Sequence, residues 1–145
     1  MRALAATALL AAAPLPAQGY FGQNQVQYDN LRWRVIETEH FQLHYYPEIA
    51  AVAPDAARMV ERSYARLSRI LGHQFREKKP VLVFGSSGDF AQSNVFGDLG
   101  EGTGGVTDPL RQRMAQFYSG DVASFEHVLQ HELVHVFQFD IFSRG

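Results

Sequence analysis

The chain has 145 residues, a formal charge of −2 and an apolar share of 46%, which suits one modest globular domain. No basic excess or Lys/Arg cluster marks a nucleic-acid surface, so nucleic acid is not an expected partner. Cysteine is absent, which excludes disulfides and thiolate metal sites and leaves any metal to His, Asp or Glu.

At the N-terminus, Arg2 supplies a short positive region and Leu4 to Ala13 an apolar, Ala/Leu-rich one. Pro14 and Pro16 then precede the small residues Ala17 and Gly19. This is the layout of a secretory signal peptide over residues 1–19, and its apolar run is short for a membrane span. Cleavage is expected after Gly19, or failing that after Ala17. The mature chain, from residue 20 on, is then secreted or periplasmic, with no stable membrane span after processing.

Tyr20 to Asn30 reads as an extended lead-in, followed by strands at Trp33 to Ile36 and His40 to Tyr46. In the second strand Phe41, Leu43 and Tyr45 alternate with His40, Gln42 and His44, as one buried and one wetter face require. A helix is predicted from Pro54 and Asp55, with Ala57, Val60, Tyr64, Leu67 and Leu71 forming one apolar stripe and Gly72 the stop. It reads as a backing helix without chemistry. Val81 to Phe84 is a short buried strand, and Ser86 to Asn94 a turn with one helical turn at most. Gly97 to Gly105 is a glycine-dense loop, and Arg113 to Tyr118 is predicted to be a strand. The run Gly100-Glu101-Gly102-Thr103-Gly104-Gly105 matches a dinucleotide glycine pattern in letters only. It leads into Val106, Thr107, Asp108 and Pro109, which is no helix entry, so a mobile loop beside a cleft is the better reading.

The last element, Val122 to Phe142, is predicted as a core helix capped by Asp121 or Ser124. It carries His131-Glu132-Leu133-Val134-His135. Histidines four apart project from one helix face, and both imidazoles can reach a single zinc ion at roughly 2 Å. Glu132 projects about 100° away by helical geometry, where it meets a metal-activated water as general base rather than the metal itself. A chance His-Glu-x-x-His is rare in a chain of this length on average residue frequencies. The ordinary alternative is a buried helix with accidental histidines. Unpartnered His and Glu would be costly there, which weighs against accident.

Neighbouring polar residues invite smaller roles. His127 lies one turn before His131, but about 12 Å of helix rise separates it from His135, too far to share one ion. It is expected to support the site or to pack. Asp140 is a candidate for a supporting hydrogen bond. His40 and His44 could bind metal, although solvent-facing strand histidines are commoner.

Taken together, "TEHFQLHYY" at Thr38 to Tyr46, "GEGTGGVTDP" at Gly100 to Pro109 and "HVLQHELVHVFQFD" at His127 to Asp140 resemble the peptidase MA-like, gluzincin-type metallohydrolases of secreted bacterial proteins. The resemblance implies an α+β zincin-like N-terminal subdomain over residues 20–145, with a mixed sheet of about four strands, a backing helix and an active-site helix. It implies Zn2+ on His131 and His135, Glu132 as catalytic base, and a third ligand, a glutamate, beyond residue 145. Gln138 and Ile141 stand where an alternative third-ligand pattern would need Gly and His. The resemblance further implies a peptide or protein substrate paired with an edge strand, for which Arg113 to Tyr118 is the candidate. It also implies continuation into further sequence, often a β-propeller region. A non-catalytic peptide-binding or envelope-scaffold module that keeps the fold is the other class of reading.

Overall fold

The computed structural model of the chain describes residues 30–93 and 104–143. The expected signal peptide and most of the glycine-dense loop lie outside these residues. The elements run β1 (Arg34–Glu37), β2 (Phe41–Tyr45), a 3-10 turn (Pro47–Ile49), α1 (Ala53–Leu71), β3 (Lys79–Phe84), α2 (Ser87–Gln92), β4 (Gly105–Asp108), β5 (Arg113–Phe117) and α3 (Val122–Phe142). The protein is α+β, with a five-stranded mixed sheet in the order β1-β2-β3-β5-β4. Strands β2, β3 and β5 are mutually parallel, while β1 and β4 run antiparallel at the two edges.

Strand alternation sorts the sheet into two faces. Phe41, Leu43, Val81, Val83, Met114 and Gln116 share one face with Gly105 and Thr107 by register. Helices α1 and α3 cover that face side by side. Tyr64 of α1 meets Phe41 edge-on and stacks on Phe137 of α3, with ring centroids 5.9 and 5.5 Å apart. On the opposite face, Phe90 of α2 packs on Phe84 and Phe117.

The helix signals hold. Helix α1 ends at Gly72, whose φ of 59° is the left-handed conformation that glycine adopts without cost. Asp121 caps α3 by accepting from the Ser124 backbone N–H at 2.9 Å. Ser86 caps α2, the helical turn expected there.

Two expectations need correction. The mixed sheet expected with about four strands has five, because Gly105–Asp108, for which no strand is predicted, forms β4. Consequently Arg113–Phe117 is not an edge strand. It is flanked by β3 and β4, and Met114, Ala115 and Gln116 are buried on both faces, as an interior strand demands. Among the described residues, that edge belongs to β4. Strand β3 also begins two residues earlier than expected, at Lys79. Pro80 hides that start because proline lacks the ladder N–H.

Candidate metal centre

Helix α3 places Phe125, Leu129, Leu133, Val136 and Phe137 in the core. The same pitch turns His131 and His135 outward, toward solvent. Their Nε2 atoms converge to 3.1 Å, with ring centroids 4.7 Å apart and planes at 82°. Two nitrogens each roughly 2 Å from one ion at a tetrahedral angle would stand about 3.3 Å apart. The pair is thus spaced as co-ligands of a single tetrahedral ion would be. Nδ1 of His135 lies 3.0 Å from the Gln138 side-chain oxygen. In the tautomer that donates Nδ1–H to this oxygen, Nε2 keeps its lone pair for a metal.

Glu132 points away from that pair, toward β4. Its side chain is nearly buried, and the Thr107 hydroxyl lies 2.7 Å from Oε2 and 3.1 Å from the Glu132 carbonyl. One hydroxyl proton serves one acceptor at a time, and the closer carboxylate is the stronger one. The carboxylate is therefore oriented from the strand while its stem rests on the helix. This close approach needs glycine. A Cβ at Gly105 would stand 2.8 Å from Val128 Cγ1 and 2.9 Å from Glu132 Cγ, and one at Gly104 would stand 3.1 Å from Val128 Cγ2. Beside them opens a cavity of about 240 Å³ lined by Gly104, Gly105, His127, Val128, His131 and Glu132.

The structure thus brings Glu132, His131 and His127 to one cleft, with His135 beside His131. His127 is exposed on the cavity wall rather than packed. Asp140 goes elsewhere: its carboxylate takes Lys79 Nζ at 2.6 Å and His73 Nε2 at 2.7 Å, at the far end of α3. His40 is not solvent-facing either. It pairs with Glu61 of α1 at 2.8 Å and stacks on Tyr64 at 3.8 Å, while His44 is half-buried and burial lowers its pKa. Among the described residues no third His, Cys, Asp or Glu joins a metal-holding group.

Sequence reasoning missed Thr107 and Gln138. Gln138 had a usable signal, since a carboxamide three residues after a candidate ligand lies on the same helix face. Thr107 had none, because its role depends on how β4 docks against α3. Comparison with protein-family models, with curated proteins and with solved structures finds no match for the chain. Functional inference therefore rests on the residues themselves.

Proposed function

We propose that this chain carries the metal-binding and proton-transfer residues of a zinc-dependent peptidase, with His131 and His135 as ligands and Glu132 as general base. The observation that carries the reading is the convergence of two imidazole Nε2 atoms at 3.1 Å, with Glu132 lining the same cavity as His131. The donors fit zinc: two imidazoles at tetrahedral spacing, one with its other ring nitrogen beside the Gln138 side-chain oxygen. When bound, the ion supplies Lewis-acid polarisation of a carbonyl and makes a water more acidic. Glu132 takes the proton from the attacking water and returns it to the leaving amine, with Thr107 holding Oε2 in place. A catalytic zinc needs a third protein ligand besides these two. On the resemblance it is a glutamate.

Strand β4 supports a peptide as substrate. It pairs with β5 on one side, and among the described residues no strand occupies the other. An extended peptide added along that edge would run beside Gly105 and Thr107, adjacent to Glu132. This replaces Arg113–Phe117 as the pairing strand. The signal-peptide pattern of residues 1–19 supports a reaction outside the cytoplasm, in the periplasm or beyond it. Among the described residues no helix is long and apolar enough to cross a membrane.

The test is Glu132→Gln in a chain that binds zinc. Metal content should be unchanged, and peptide hydrolysis should fall by about 10²-fold or more, the usual cost of a lost general base. His131→Ala should lose both. Equal peptide binding by the wild type and Glu132→Gln, with no hydrolysis by either, would instead identify a peptide-binding module that keeps the fold without turnover.

A further inference from the structure

Gln116 lies in the centre of β5 with no exposed surface, and among the described residues neither its side-chain oxygen nor its nitrogen has a hydrogen-bond partner. A buried carboxamide with both ends unsatisfied is destabilising, and an apolar side chain of the same shape would be better tolerated. Violations of this kind concentrate at functional or strained sites.

The register locates what it could serve. Gln116 pairs with Gly105 on β4 and with Val83 on β3, and its side chain shares the face covered by α3. Side chains of directly paired residues stand about 4.5–5.5 Å apart at Cβ. The place a Cβ would take at Gly105 is already filled from above by Glu132, whose Cγ lies 2.9 Å from it. The strand register thus sets Gln116 directly opposite the spot beside Gly105 that the Glu132 stem fills, within the sheet–helix interface. Thr107, two residues along β4 on the same face, engages Oε2 of Glu132. No described residue engages Oε1.

We infer that Gln116 is a positioning residue for Glu132: its buried N–H donates to Oε1 in the working site, as the Thr107 hydroxyl does to Oε2. The two strand donors then hold the carboxylate from both oxygens, in the plane that delivers it to the cleft. This inference rests on the reading of Glu132 as the general base.

The experiment uses the full chain with Gln116→Met, which keeps length and volume and removes both polar ends. Expected are an equal or higher Tm, unchanged zinc affinity, and a kcat lowered about 10-fold or more at nearly constant KM, the scale of lost support to a site residue. Gln116→Glu keeps the shape but loses the donor when ionised, and should not restore kcat. Independently of turnover, the side-chain amide signal of Gln116, assigned by its disappearance in Gln116→Met, should shift in Glu132→Gln and stay in place in His127→Asn. Unchanged kcat in Gln116→Met, or an amide signal indifferent to Glu132→Gln, overturns the proposal. A lower Tm in Gln116→Met also overturns it, since the amide would then have a structural partner. If Glu132→Gln hydrolyses peptides as well as the wild type, the peptidase reading fails, and the amide signal alone decides whether Gln116 contacts Glu132.

Discussion

Among the described residues, each buried charged side chain has a partner whose loss has a readable consequence. Thr107→Val removes the hydroxyl from Oε2 of Glu132 without changing side-chain shape. We expect zinc content unchanged and turnover about 10-fold lower, measured as kcat on a peptide, because the base loses its orientation rather than its charge. Glu61 offers a second test, away from the cleft. Burial alone would raise its pKa, but the Thr38 hydroxyl and the backbone N–H and ring of His40 outweigh it, so the pKa falls below its ordinary 4.5. A carboxylate depressed in the folded state binds its proton less tightly than in the unfolded chain. Its contribution is then complete above the ordinary value and is lost as pH falls through the folded one. Glu61→Gln should flatten the stability curve below pH 4.5 and leave its shape at neutral pH unchanged, as read from urea midpoints across pH.

Among the elements, the junction of β4 with α3 decides whether the site exists. The helix carries the chemistry, but the strand sets where Glu132 points. Gly105 is the contact that lets the two approach: any Cβ there meets Val128 and Glu132 at under 3.0 Å. Gly105→Ala must push α3 outward or displace the Glu132 stem, with an overpacking cost of about 1–3 kcal/mol. Because the displaced atom belongs to the proposed base, turnover should fall more than stability does. A Gly105→Ala protein with full activity and a wild-type urea midpoint would show that the helix can shift freely. Helix α3 is also apolar beyond its sheet-facing side, with Val122, Ile141 and Phe142 exposed.

At the scale of the whole molecule, the far ends of three elements are joined by one buried charge cluster. Asp140 near the end of α3 is 2% exposed and accepts from Lys79 at the start of β3 and from His73 just after α1. Gln112, which has a positive φ of 47° in the β4–β5 turn, contacts Lys79 and donates to Ser143 at 2.9 Å. Asp140→Asn leaves the Lys79 ammonium buried without its counter-charge. Breaking one side of a buried pair costs about 3–5 kcal/mol, which equilibrium denaturation should register as a large loss while the His131–His135 spacing is unaffected. A loss of zinc binding in this variant, at temperatures where it is folded, would instead mean that the cluster holds the helix register at the metal centre.

What the sequence determined by itself were the features set by local periodicity and capping: α1 with its Gly72 stop, β2, α3 behind Asp121, and the face shared by His131 and His135. These follow from chain geometry within a few residues, so no distant partner is needed to see them. Tertiary structure alone decided the rest. Gly105–Asp108 becomes a strand because β5 offers it a ladder, and no alternation within four residues could announce that. The same pairing converts Arg113–Phe117 from an expected edge into an interior strand. Thr107 meets Glu132, and Asp140 turns from the histidines of the motif to Lys79 and His73, because the docking of α3 on the sheet brings together residues separated by 25 to 67 positions in sequence. Such contacts carry no local signature. Their energetics depend on which face of which strand is buried, and only the assembled sheet and helix layer specify that.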